Sequence, residues 1–359
     1  MCSRQEILFR QRSGEISIFE ATDDTVDKPP SKQKLDPTRA VKKYRRSAAG
    51  TRKDQQYPPR TIGALIQTVD YLSDLFINWQ QRPSLSIVEL VNFLEDRIRA
   101  VQVDLVISQM ASKQLQYKIV KFHILSMYLL SDTKTYERQH GKNALQTALS
   151  SYWNSGNQEV SETDDEILAL TAIFELSEDL HCLERDPDGS HTFGAKIMAV
   201  YRKHFASSDT KSFPLFQWSL QMISFCNIGE WTNALQSINN IGGNFGVFVT
   251  CCLASSLSGM RAKALEAFNV SFMKGEKVAD HDVARVLAMS DPSACRAFCS
   301  QLNLPVEEEM VSFKSAPIHM KWDCKKREDS LVFRRGASFA SDRDNIPLPV
   351  KSVLSDLFK

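Results

Sequence analysis

From Ile62 onward, apolar side chains recur at spacings of three and four residues, and this period constrains the fold more than any other feature of the chain. Ile62, Leu65, Ile66, Val69, Leu72 and Phe76 form the first such stripe, after Pro58 and Pro59; it predicts an amphipathic helix. Ser86 and Glu89 have the spacing of a capping box, and Ile87, Leu90, Val91, Leu94, Ile98, Val101 and Leu105 supply the stripe of the helix it opens. On that helix Glu95 and Arg99 stand at i,i+4 in the favourable orientation and support its exposed face. The alternative use of Arg97 and Arg99 is contact with nucleic acid or with the basic segment's own surroundings. A third apolar helix spans Ile119 to Leu130. His123 lies alone in its middle and reads as a hydrogen-bonded core residue, not a metal ligand or catalyst.

A stretch rich in Ser, Asn, Gly and acids, Ser155 to Asp165, marks a linker or long loop. Helices are expected beyond it near 165–183, 193–206, 214–228, 230–240, 245–258 and 261–273. Gly229-x4-Ala234-Leu235-x2-Ile238 recurs thirty residues later as Gly259-x4-Ala264-Leu265-x2-Phe268. That period suggests stacked helical hairpins in which each Gly ends a helix in a left-handed turn, with a generic helical bundle as the alternative. Asp280 can cap a helix to Met289, and Asp291-Pro292 starts another with the stripe Cys295, Phe298, Cys299, Leu302. Two strand-like runs follow, Met310 to Lys314 and Leu331 to Arg335, around a basic loop with Lys321, Lys325, Lys326 and Arg327. Helix, helix, strand, basic loop, strand is the order of a winged helix. Lys325, Lys326, Arg327, Arg334 and Arg335 are its candidate phosphate contacts. In the tail, Val350, Val353, Leu354 and Leu357 mark a short segment that folds back on the domain or binds a partner.

Catalytic and metal chemistry find no foothold. Cys295 and Cys299 lie one turn apart in an apolar stripe without a second ligand pair, so they read as core, as do Cys251 and Cys252. The glycine-rich Ile241 to Gly246 follows a helix and lacks the P-loop lysine. No nucleophile or carboxylate constellation stands out, so no enzyme, cofactor or metal site is expected. The eight cysteines contain no CxxC pair, which fits reduced thiols in the nucleus or cytosol. The N-terminus is too charged for a signal peptide, and the longest mostly apolar run, Phe245 to Leu257, is short of the roughly 20 residues of a membrane span. A chain of 359 residues implies about two domains and no membrane insertion is expected.

Charge is segregated at the N-terminal end. Between Lys28 and Arg60 eleven Lys and Arg face two Asp, a balance of +9 in a chain whose total is +1. The segment reads either as a solvated basic arm or as a nucleic-acid patch. Lys42, Lys43, Arg45, Arg46, Arg52 and Lys53 also have the look of a nuclear import signal. Inside it, Asp36, Pro37, Ala40, Val41, Lys42, Tyr44, Arg46, Ser47, Ala48, Ala49 and Gly50 match the pattern DPxxAVKxYxRSAAG. The string resembles the signature of the Sac-three and GANP family (SAC/GANP). Three further islands follow in the family's order: TVDYL at Thr68 to Leu72, DRIRAVQVDL at Asp96 to Leu105, and KFHI at Lys121 to Ile124. The family's CPxMCPxxE motif is reduced to Cys2 and Glu6, with Ser3 in place of Pro, which would put the chain's start inside that motif. The phenylalanine-glycine repeats and centrin-recruiting helix of long members are not visible, and Phe193-Gly194 and Phe245-Gly246 read as helix-terminus residues.

The resemblance implies a mainly α fold: helical-hairpin repeats in a PCI/TPR-like right-handed stack ending in a winged-helix subdomain. The expected divisions are 1–60, an extended basic segment with the signature; 61–275, the helical-repeat domain; 276–340, the winged helix; and 341–359, a tail. It implies a nonenzymatic scaffold of a transcription-and-export (TREX-type) mRNA-export complex in the nucleus. Expected partners are a PCI-domain protein, a small acidic Dss-type subunit and RNA, with an indirect association with the nuclear pore. Centrosome duplication or spindle organisation, a splicing or transcription-elongation scaffold, and an enzyme of unknown type are the rival readings. Candidate nucleic-acid contacts are Lys325, Lys326, Arg327, Arg334, Arg335, Lys42, Lys43 and Arg45. The signature residues are Tyr44, Arg46, Ser47, Ala48, Ala49, Gly50, Arg97, Arg99 and His123. Tyr44 and Ser47 to Gly50 are expected to pack against the first helices, leaving the lysines and arginines exposed.

Overall fold

The computed structural model describes residues 2–29, 32–45, 57–78, 86–131, 133, 136–155, 162–185, 192–194, 196–205, 212–289 and 291–314. Among them the chain forms thirteen helices and three short strands. Two compact units divide it chiefly at Gln158/Glu159, inside the polar stretch that reads as a linker, with Tyr136–Arg138 belonging to the second unit.

The first unit contains α1 (Arg4–Ser13), α2 (Ile62–Ile77), α3 (Ile87–Ile107), α4 (Lys113–Leu130) and most of α5 (Arg138–Asn154). α1 is a helix inside the 1–60 segment that was expected to be extended. Its start is capped by the Ser3 hydroxyl accepting from Glu6 N, and Gly14 ends it at φ 69°, a left-handed turn that glycine adopts without steric cost. The capping box of Ser86 and Glu89 is present at the head of α3. α2, α3 and α4 pack on one another. Leu65, Val69, Leu72 and Phe76 of α2 and Leu90, Leu94, Ile98 and Val101 of α3 are all buried, and the Phe76 and Phe122 rings lie edge to face at 5.7 Å. Ile62 and Ile66, placed by spacing in the α2 stripe, are instead each 38% exposed. Before α2, an isolated antiparallel bridge between Ala21 and Leu35 closes a loop that carries the chain back past α1.

The second unit is built around α6 (Glu162–Arg185), against which α7 (Ile197–Phe205), α8 (Pro214–Ile228) and α10 (Gly243–Leu253) pack. α9 (Trp231–Asn240) and α11 (Leu257–Ser271), the two helices of the thirty-residue repeat, pack on each other. Ala234, Leu235, Ala264 and Leu265 are fully buried. Gly229 ends α8 at φ 79° as the repeat predicts, but Gly259 lies inside α11. Residues 254–256 make the second turn, so only one of the two glycines serves as a stop. Phe193-Gly194 forms a buried turn before α7, locked by Asn227, whose side chain accepts from Phe193 N at 2.8 Å. Phe245-Gly246 lies in the first turn of α10, where a Cβ on Gly246 would sit 2.2 Å from the Ile241 carbonyl. Both pairs are therefore parts of the packed fold. No single described helix is long and apolar enough to cross a membrane.

The second unit ends in β1 (Lys277–Ala279), α12 (Asp280–Val286), α13 (Pro292–Gln301), β2 (Val306–Glu307) and β3 (Met310–Ser312), an antiparallel sheet of order β1-β3-β2. Asp280 is the first residue of α12 rather than its cap, while Asp291 caps α13 as expected, accepting from Ser293 N. The strand expected at Met310 is present, but its partners differ. β3 is central, with both edges taken by β1 and β2, and the hairpin turn is Glu308-Glu309, both left-handed at φ 46° and 63°. A strand at Leu331 to Arg335 thus has no free edge of β3 to pair with. The basic loop, that strand and the tail 341–359 lie outside the described residues.

Candidate functional site

The N-terminal signature segment is held by three anchors, all of them reaching α3. The first is a carboxylate between two guanidinium groups. α1 turns Arg10 inward, where it is fully buried, and the bend around Ser17 presents Glu20, also fully buried. Glu20 Oε1 accepts from Arg10 Nη1 at 3.1 Å, from Val41 N at 2.8 Å and from Arg97 Nε at 3.4 Å; Oε2 accepts from Arg97 Nη2 at 2.7 Å and from Arg10 Nη2. Arg10 also donates to the Val41 carbonyl at 3.1 Å and the Glu15 carbonyl at 3.1 Å, and Arg97 pairs with Asp96 and lies 4.5 Å over the Phe93 ring. Burial pushes the Glu20 carboxyl up, but Arg97 and Arg10 overcome it and hold it below the usual range. The ions are therefore charged and mutually compensated, which is what makes their burial tolerable.

The second anchor is Asp104, fully buried near the end of α3. Its Oδ1 accepts from Lys42 Nζ at 2.6 Å, and its Oδ2 from Arg60 Nε at 2.6 Å and Arg60 N at 3.3 Å. Arg60 Nη1 reaches Thr68 Oγ1 at 3.4 Å, so this anchor also ties down α2. In the third, Tyr44 N donates to Asp96 Oδ2 at 3.2 Å and the Arg99 guanidinium lies 4.3 Å over the Tyr44 ring. Arg99 therefore stacks on the signature tyrosine, in place of the i,i+4 contact with Glu95 that spacing alone suggested.

Two of the four sequence islands are thus direct partners, and the other two bind residues beside them. DPTRAVKKY supplies Val41, Lys42 and Tyr44, and DRIRAVQVDL supplies Asp96, Arg97, Arg99 and Asp104. TVDYL gives Thr68 to Arg60 and Asp70 to Lys118 of α4, at 2.8 Å. KFHI gives Phe122 to the Phe76 contact and His123 to the core of α4.

The candidate phosphate contacts are placed unequally. Lys42 is engaged by Asp104; Lys43 and Arg45 pair with Glu15 at 3.2 and 3.4 Å, and Arg45 also covers the Phe9 ring at 4.4 Å. A phosphate approaching these three cations competes with an internal carboxylate for each of them. Arg46, Ser47, Ala48, Ala49 and Gly50 lie outside the described residues, as do Lys325, Lys326, Arg327, Arg334 and Arg335. In the C-terminal module the described hairpin tip is acidic, and Arg296 of α13 is paired with Asp280. Cys295 and Cys299 are fully buried in the core of that module. Arg10, Glu20 and Arg60 escaped the sequence reading because they lie in a stretch that looks solvated. The spacing of Ser3 and Glu6, a helix-start pattern, was the one local signal that α1 was there to carry Arg10 inward.

His123 is buried, as its apolar surroundings suggest, but its Nε2 finds no hydrogen-bond partner. Burial, with a smaller contribution from His140, lowers its pKa to about 4. An unfolded chain takes up this proton near pH 6.5, the folded protein only near pH 4, so stability is fully present above 6.5 and lost as pH falls through that window. The difference amounts to about 3 kcal/mol at its limit. In urea titrations at about pH 7.5 and 4.5, His123→Leu should therefore lose about 2 kcal/mol less on acidification than the parent protein. An equal loss in both would assign the acid limb to other groups.

Compared with known families, residues 1–308 match the family described as SAC3/GANP.

Proposed function

The chain belongs to the SAC3/GANP family, and we propose that it serves as a nonenzymatic scaffold of a nuclear TREX-type mRNA-export complex, joining a PCI-domain partner, its Dss-type subunit and RNA. The family match supports a role in mRNA export or a related assembly. The observation that carries the reading to this chain is the anchoring itself: the signature segment and the DRIRAVQVDL island are spent on holding one extended segment to a helical platform, which is the work of a scaffold. The β1-α12-α13-β2-β3 order of the C-terminal module supports assigning residues 276–340 to a winged helix. In this reading Lys42, Lys43 and Arg45 are internal partners, and phosphate contact falls to Lys325, Lys326, Arg327, Arg334 and Arg335.

A pull-down from nuclear extract with and without nuclease tests the assembly. PCI and Dss-type proteins retained after nuclease support it, while centrosomal proteins without them point to the spindle role. For the RNA contact, reversing the charge of Lys325, Lys326 and Arg327 should weaken binding to single-stranded RNA. It should also lower the slope of log affinity against log salt by up to about 2, at roughly 0.7 per phosphate contact. An unchanged affinity and slope in the folded variant would remove the basic loop from the interface.

A further inference from the structure

Nine large apolar side chains are exposed among the described residues, and five of them, Ile62, Ile66, Val103, Val106 and Ile107, belong to the start of α2 and the end of α3. The bonds from Arg60 to Asp104 bring those two helix ends together. Val106 is 74% exposed. A single exposed aliphatic needs no explanation, but five at one end of a helix pair make the kind of apolar surface that marks an interaction site.

The sequence contains a segment suited to cover it. Beyond Lys314 the chain continues to Lys359 and ends in VKSVLSDLFK, where Val350, Val353, Leu354, Leu357 and Phe358 recur at i, i+3, i+4, i+7 and i+8. That spacing makes one narrow apolar stripe if the segment is helical, with Lys351, Ser352, Ser355, Asp356 and Lys359 on the other sides. We propose that this C-terminal segment folds as an amphipathic helix on the exposed apolar end of the α2–α3 pair of its own chain.

The tether permits it. Thirty-five residues, 315–349, separate Lys314 from Val350. A random-coil linker of that length spans on the order of 35 Å root-mean-square, and roughly 120 Å at full extension. Such a tether holds the segment at an effective concentration in the millimolar range, so a short helix of weak intrinsic affinity remains bound. The mode is an amphipathic helix laid along an apolar face, read by anchors at i, i+3, i+4 and i+7.

Hydrogen exchange on the full chain tests the docking. In the double variant Leu354→Asp/Leu357→Asp, amides at the start of α2 and the end of α3 should exchange about tenfold faster, with α6 and α8 unchanged. In Val106→Asp, the reciprocal change should appear as faster exchange in residues 350–358, while α4 keeps its protection and so reports that the unit is folded. Unchanged exchange at both places overturns the proposal. So does protection that disappears on dilution, which assigns the patch to a second copy, or protection that appears only when another protein is added.

Discussion

Glu20→Ala should lower the free energy of unfolding by about 3–5 kcal/mol, the loss expected when one partner of a buried ionic group is removed. Arg10 and Arg97 are both buried; besides Glu20, Arg10 feels the carboxylate of Glu6, and Arg97 pairs with Asp96, which is partly exposed. The variant thus retains two buried positive charges that have lost the carboxylate they share. Glu20→Gln keeps an acceptor for Val41 N but no charge, and its loss should be nearly as large. The test that separates charge from packing is the triple replacement Arg10→Met/Glu20→Leu/Arg97→Met. With no orphan charge left, it should recover most of the loss. Urea titration gives the comparison directly. A triple variant no more stable than Glu20→Ala would mean that the cavity and not the charge sets the cost.

Asp104→Ala is the second large effect, expected at about 3 kcal/mol. Its two cations are not equivalent. The Lys42 side chain is 16% exposed and can turn its ammonium to water, whereas Arg60, 7% exposed, remains enclosed with its partner gone. Most of the loss is thus traced to Arg60, so Lys42→Met should cost under about 1 kcal/mol. The same variant should also release the signature segment. Trypsin should cut Asp104→Ala after Lys42 or Lys43 faster than it cuts the parent protein under native conditions, because local opening there no longer breaks the Lys42 contact. Equal cleavage rates would show that the Glu20 anchor holds the segment alone.

The helices were legible because burial repeats along them. The α3 stripe and its capping box, the limits of α8, and the Asp291 cap of α13 all follow from local spacing. The site was legible only as a set of islands. Lys42 looks like a solvated cation in sequence and becomes the partner of a buried aspartate 62 residues away. Nothing in a charge count distinguishes the two states, since a basic run is the same whether its counter-ions are water-borne or internal. Ile62 and Ile66 erred in the other direction, sharing the helical period while lying on the rim of the packed face. The strand at Met310 was read from its composition, but its partners depend on β1, a three-residue strand too short to show a period.

The reach of the Glu20 anchor gives unit assembly an order in time. Arg97 follows Glu20 by 77 residues. A ribosome adding about 5–20 residues per second needs roughly 4 to 15 seconds to supply it. During that interval the leader has its glutamate and one of its arginines but no platform to close upon, and Lys42 has yet to meet Asp104. Folding of this unit is therefore gated by the emergence of α3, and a nascent chain stalled before Arg97 should remain a substrate for cationic-segment chaperoning or proteolysis however complete its signature is.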